Sequence, residues 1–287
     1  MAKEASASSK MQESRDQLEH VKGQIAFVRR SSNEGAPDVF SGPDADEPMV
    51  SYDIDIRNAR PIVNDLSLDR EGFTLIKREA SWIHESDPDA LRDKYLEEMV
   101  PFIKDYFSAS WIVPKRDAII VRTPEQALPA DERHRPLLKN KAAGWAHVDY
   151  ARIAGPMMAA REDQIQGNAI RPYSRLMIIQ AWHVLSPPPQ DFPLAVCDGG
   201  SVPDDDLVEV NYDKFGIKHK AWHTYYSSHQ RWYYFPEMAS DEFILFKGYD
   251  SEDNYPRVVH AAFDNRRAYP KAKPRKSVEG RFFVYYD

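Results

Sequence analysis

The run Ala146-His147-Val148-Asp149-Tyr150 sets an imidazole and a carboxylate two residues apart, the spacing at which side chains on a β-strand project from one face. Two metal ligands are preplaced by that spacing. Further along, Arg257-Val258-Val259-His260-Ala261-Ala262-Phe263 carries another histidine inside an apolar, strand-like stretch. Two histidines and one carboxylate are the protein ligands of a facial triad on non-haem Fe(II), which leaves positions open for a chelating cosubstrate and dioxygen. The competing reading is a strand histidine satisfied by a nearby acid. A chain with 9 histidines and 45 acidic residues holds roughly one H-x-[DE] by chance.

A second group of residues adds weight to the metal. Arg275, Ser277, Glu279 and Arg281 are separated by even intervals and share one face of a regular strand. An arginine so placed can hold a distal carboxylate through paired, charge-assisted hydrogen bonds, with a serine hydroxyl assisting. H-x-D, then His, then Arg on the final strand is the order found in double-stranded β-helix dioxygenases that use 2-oxoglutarate. Trp145 and Tyr150 flank the H-x-D motif and are candidate pocket residues, with Trp182 and His183 beside them. His219 and His223 stand at helical spacing in a strand-like run and are expected to pack rather than ligate. The basic stretch Arg266, Arg267, Lys271, Lys273, Arg275 and Lys276 fits a solvated hairpin loop with only Arg275 turned inward.

These side chains need a sheet to carry them. Ala118–Arg122, Gly144–Tyr150, Leu176–Val184, Leu207–Val210, His219–Tyr226, Trp232–Phe235, Glu242–Lys247, Val258–Phe263 and Ser277–Tyr286 have strand character, with Pro, Asp or Gly between most of them. Ahead of them, Leu91, Tyr95, Leu96, Met99, Phe102, Ile103 and Phe107 recur at helical spacing after Ser86-Asp87-Pro88, which predicts a capped helix kinked near Pro101. The expected architecture is mainly β, a double-stranded β-helix (jelly roll) with N-terminal helices at its flank. Residues 1–48 are expected to be a flexible lead-in with one element near Gln24–Arg30, and 49–287 a single domain. Ala151–Arg171 is expected either to close over the site or to form a short surface helix over Pro156–Gln166.

Composition narrows the chemistry. In 287 residues, 42% are hydrophobic and 12% aromatic, enough for a large packed core. The net charge of −7 argues against a nucleic-acid partner. No apolar run approaches the length of a membrane span, and the single cysteine, Cys197, excludes an internal disulfide or a thiolate cage; a cytoplasmic location is expected. The glycines form no G-x-G, which removes the dinucleotide fingerprint.

From about Val50 onward the chain resembles the CmcJ-like, asaB-type hydroxylase/desaturase family, which includes gibberellin desaturase-like proteins. The resemblance rests on six ordered phrases: Leu68-Asp69-Arg70-Glu71-Gly72-Phe73, His147-Val148-Asp149, Pro193 to Asp198, Arg231 to Pro236, Leu245 to Ser251, and Pro274 to Arg281. Where relatives usually show Asn-x-Trp-Arg-Pro, this chain has Gln180-Ala181-Trp182-His183-Val184. The resemblance implies an Fe(II)- and 2-oxoglutarate-dependent dioxygenase acting on a small organic, secondary-metabolite substrate by hydroxylation, desaturation or rearrangement. It implies His147, Asp149 and His260 as iron ligands and Arg275, Ser277 and Arg281 as cosubstrate contacts. Self-association into a homodimer stays open. So do a noncatalytic β-barrel that binds an apolar ligand and, below it, a metal-dependent hydrolase.

Overall fold

The computed structural model describes residues 15–30, 49–123, 138–139, 142–214, 217–252 and 254–287. Two curled sheets face each other. The first contains β1 (His20–Val28), β2 (Met49–Asn58), β7 (His147–Val148), β9 (Leu194–Cys197), β10 (Leu207–Lys214), β11 (Ile217–Thr224), β12 (Trp232–Tyr234) and β14 (His260–Ala262), in the order β1-β2-β12-β9-β14-β7-β11-β10. The second contains β3 (Phe73–Lys77), β4 (Trp111–Pro114), β5 (Ile120–Arg122), β6 (Leu138–Lys139), β8 (Arg175–Val184), β13 (Glu242–Asp250) and β15 (Ser277–Tyr286), in the order β3-β13-β8-β15-β5-β6, with β4 also paired to β15. This is the expected double-stranded β-helix, and all nine anticipated strands are present within it. No helix among the described residues is long and apolar enough to cross a membrane.

Alternation along β8 explains how the layers form. Trp182 and Val184 point inward, where they meet Val196, Tyr233, Ile244 and Phe246 between the sheets. Ile179 and Ala181 point outward and are covered by α1 (Pro88–Phe107), through Leu91, Tyr95, Leu96, Met99 and Ile103. Each such buried aliphatic side chain contributes about 2 kcal/mol. Asp87 caps α1 by accepting from the backbone N–H groups of Asp89 and Ala90. The helix runs on through Pro101, where a kink was expected. Gly280 on β15 lets it approach closely, because a Cβ there would lie 2.5 Å from the Tyr95 hydroxyl.

The N-terminal region departs from the expected boundary at residue 48. Residues 1–14 and 31–48 lie outside the described residues, but β1 pairs with β2 along its whole length. Ile25 and Phe27 of β1 are fully buried. Just before β1, Arg15 reaches into the body and donates to Glu71 Oε1 over 2.8 Å. The strand is short of continuous apolar residues because only one of its faces is covered, which is why composition alone grouped it with the lead-in.

Candidate metal centre

β7 is only two residues long, yet its position in the sheet decides the site. His147 lies opposite His260 of β14 on one side and opposite His223 of β11 on the other. Asp149 follows where the strand bends away. One ligand atom from each of His147, Asp149 and His260 lies within 4.8 Å of the others. The imidazole centroids of His147 and His260 are 4.3 Å apart, and His147 Nε2 is 3.6 Å from Asp149 Oδ1.

Backbone carbonyls orient both rings. His147 Nδ1–H donates to Trp145 O over 2.8 Å, and His260 Nδ1–H donates to Val258 O over 3.1 Å. With the proton on Nδ1, each ring presents the Nε2 lone pair, the state a metal ligand needs. Burial, with His260 alongside, pushes the His147 imidazolium down to about 3. The ring is neutral at physiological pH.

Asp149 is held as a carboxylate. Burial works against its charge, but the Arg281 guanidinium, through its charge and its hydrogen bonds, outweighs that and keeps it well below the usual carboxylate range. Its Oδ2 accepts from Arg281 Nε over 2.9 Å, from Arg281 Nη2, and from Gln180 Nε2 over 2.9 Å. Glu279 Oε1 then accepts from both Gln180 Nε2 and Arg281 Nη2, each over 3.0 Å. Gln180 of β8 and Arg281 of β15 are directly opposed in the sheet. This polar layer lies between the apolar cluster of Trp182, Ile244 and Phe246 and a second cluster of Ile178, Phe283 and Tyr249. Its ion pairs are therefore little screened by water.

The remaining candidates distribute unevenly. Arg275 is buried; its Nη1 donates to Phe192 O over 2.8 Å, and its guanidinium lies 5.7 Å from the Trp182 ring centroid. Ser277 is buried on the same inward face of β15. Trp145 stands with its ring 5.4 Å from that of His147. Tyr150 packs against Ala154, Met158 and Tyr249 below the polar layer. His183 is not brought to the site: it is buried on the outward face of β8 with ring centroids of Trp82, Tyr95 and Phe243 at 4.8, 5.4 and 4.4 Å. Trp182 and His183 are neighbours on a strand and cannot share a face.

Sequence reasoning gave no role to four residues that the fold brings here. Gln180 and Glu279 hold Asp149 and its arginine. His223 sits beside His147 in the sheet, and His219 Nε2–H donates to Asp149 O over 3.1 Å. Even spacing from Arg281 pointed to Glu279, and from Trp182 to Gln180. The two β11 histidines carry no such signal, since their nearness to His147 comes from cross-strand register.

The segment Ala151–Arg171 forms α2 (Ala154–Ile165), pinned to the barrel. Glu162 pairs with buried Lys115 at 3.5 Å, Asp163 accepts from the Tyr285 hydroxyl over 2.9 Å, and Gln166 Nε2 donates to Pro114 O over 2.6 Å.

The family model described as "YDMC: Oxidoreductase/YMDC permease-like domain" matches residues 25–285. The chain is 28% identical over 258 residues to the hydroxylase/desaturase efuI of Hormonema carpetanum, covering 84% of each chain. It is 26% identical over 244 residues to the Fe(II)/2-oxoglutarate-dependent dioxygenase nvfI of Aspergillus novofumigatus, covering 82% of this chain and 83% of that one. Among solved structures, the iron and alpha-ketoglutarate-dependent endoperoxidase NvfI shares the fold, with a TM-score of 0.73 at 22% identity over 93% of this chain and 98% of the other.

Proposed function

This chain belongs to the oxidoreductase family described as YDMC: Oxidoreductase/YMDC permease-like domain, and on that footing we propose that it is an Fe(II)- and 2-oxoglutarate-dependent dioxygenase. Its substrate is a small organic molecule of the secondary-metabolite kind, modified by C–H hydroxylation, desaturation or rearrangement. The relatives named hydroxylase/desaturase and Fe(II)/2-oxoglutarate-dependent dioxygenase support that reading. The observation that carries it is the convergence of His147, Asp149 and His260 within 4.8 Å, with both Nδ1 protons already given to carbonyls.

The donor set fits a hard-to-borderline divalent ion such as Fe(II): two neutral imidazoles and one carboxylate. When bound, the metal and its keto-acid cosubstrate supply the oxidising power from dioxygen. The chain does the rest. Asp149 brings a negative charge whose orientation Arg281 and Gln180 hold, and Trp145 O and Val258 O keep the two rings aimed. Arg275 and Ser277 would hold the distal carboxylate of 2-oxoglutarate, over the floor that Trp182 provides. Trp182, Ile244 and Phe246 keep bulk water from that side of the site.

Metal analysis of wild type, His147→Ala and His260→Ala tests the assignment. Stoichiometric iron in wild type and its loss in both variants is expected; unchanged metal content in the variants would favour a noncatalytic binding protein. Anaerobic addition of Fe(II) and 2-oxoglutarate to wild type should produce a visible charge-transfer band. Its absence at confirmed metal loading would rule out the cosubstrate.

A further inference from the structure

We propose that Arg122 completes the seat for the distal carboxylate of 2-oxoglutarate, acting with Arg275 and Ser277. This rests on the functional reading above. The first support is register. β5 pairs with the start of β15, and Arg122 lies directly opposite Ser277. Directly opposed residues share a face. Val121 and Val278, one residue along on each strand, both lie in the outward cluster under α1, so Arg122 and Ser277 both belong to the inward face.

The second support is the commitment of the other candidate. Arg281 places its Nε and Nη2 on Asp149, shares Nη2 with Glu279, and donates Nη1 to Ala118 O over 3.3 Å. All three of its nitrogens are engaged. Glu279, the carboxylate of the same face, is likewise taken up by Arg281 and Gln180.

The third support is charge. Among the described residues no carboxylate forms an ion pair with the Arg275 guanidinium, whose Nη1 is bonded only to a carbonyl; the Asp191 carboxylate accepts from its backbone N–H instead. Burial first, and then the charge of Arg122, pull Arg275 down to about 9, so the two cations lie close enough to oppose each other. Arg275 stays protonated at neutral pH. Glu279 and Asp191 offset that opposition only in part, in a site poorly screened by water. A carboxylate between two guanidinium groups relieves that repulsion and can accept from both.

The test uses protein loaded with Mn(II), which does not turn over, and two ligands titrated by calorimetry. One is 2-oxoglutarate. The other is 2-oxopentanoate, which keeps the keto-acid end and lacks the distal carboxylate. Arg122→Gln should weaken 2-oxoglutarate roughly 10- to 100-fold, the size expected for a hydrogen bond to a charged group, and leave 2-oxopentanoate unchanged. Arg275→Gln should behave alike. Unchanged 2-oxoglutarate binding in Arg122→Gln, or an equal loss of both ligands, overturns the assignment. Arg122→Lys, which keeps the charge, should lie between wild type and Arg122→Gln, and serves if the glutamine variant does not fold. If wild type with confirmed Mn(II) binds 2-oxopentanoate and 2-oxoglutarate equally, no seat for the distal carboxylate exists. If it binds neither, the functional reading fails first.

Discussion

Arg281 grips a single oxygen of Asp149. Its Nε and Nη2 both donate to Oδ2, and Gln180 Nε2 donates to the same atom, while Oδ1 faces His147 Nε2 at 3.6 Å. The carboxylate is thereby divided into a held oxygen and a presented one. A partner that orients a metal ligand is worth about 10- to 100-fold in metal affinity. Arg281→Lys keeps a charge but loses the fork, and should weaken Mn(II) binding by about that factor in a calorimetric titration. Wild-type affinity in this variant would show that the fork does not position Asp149.

Gln180 owes its place to a missing side chain. A Cβ at Gly248 would lie 2.4 Å from Gln180 Oε1 and 3.3 Å from the Tyr150 ring, at the point where the pairing of β13 with β8 shifts register. Because Nε2 is tied to both Asp149 and Glu279, the amide cannot swing aside without releasing one of them. Gly248→Ala should therefore lower metal affinity to the same extent as Gln180→Ala, and the double variant should be no worse than either alone. Additive losses in the three titrations would mean that Gly248 acts by another route.

His147, Asp149 and His260 were legible because strand spacing and chain order are local properties. What lay beyond reach was cross-strand register. Gln180 faces Arg281 and Arg122 faces Ser277 only once β5, β8 and β15 are aligned. His183 was misplaced for a simpler reason: an odd step along β8 turns it away from Trp182 and under α1. Much of the family resemblance also proves structural. Asp69 and Asp250, from two of the matching phrases, both hold buried Lys247, at 2.8 and 3.0 Å. Asp198 and Arg231, from two others, pair at 2.8 Å. Those phrases report a shared barrel, while the chemistry resides in the remaining two phrases and in His260, which lies outside all six.

His183 makes the fold sensitive to acid. Burial, and to a lesser degree Arg78, push its pKa down to about 3 from an ordinary value of 6.5. Between those values the unfolded chain binds a proton that the folded one refuses, so stability falls as pH drops from 6.5 towards 3. His183 alone contributes up to about 1.4 kcal/mol per pH unit across that window. His183→Phe, which keeps an aromatic ring against Trp82 and Phe243, should flatten the dependence of unfolding free energy on pH in urea titrations from pH 7 to 4. An unchanged slope would mean that His183 takes up its proton without unfolding.

The helix after the H-x-D motif is expected to stay closed. α2 is joined to the barrel through Glu162 to Lys115 and Asp163 to Tyr285, and all four side chains are buried. Removing one partner of a buried pair strands the other charge, at a cost of about 3 kcal/mol. Lys115→Met keeps the stem and deletes the charge, leaving Glu162 with hydrogen bonds from Gln166 Nε2 and Arg116 N but no cation. Two measurements follow. Urea denaturation should show the loss of stability, and trypsin should cut faster after Arg161, whose peptide bond lies within the pinned turn. In wild type, cleavage there should be slow with or without Mn(II) and 2-oxoglutarate, since the anchors do not involve the metal site. Protection that appears only on adding those ligands would instead make α2 a moving element.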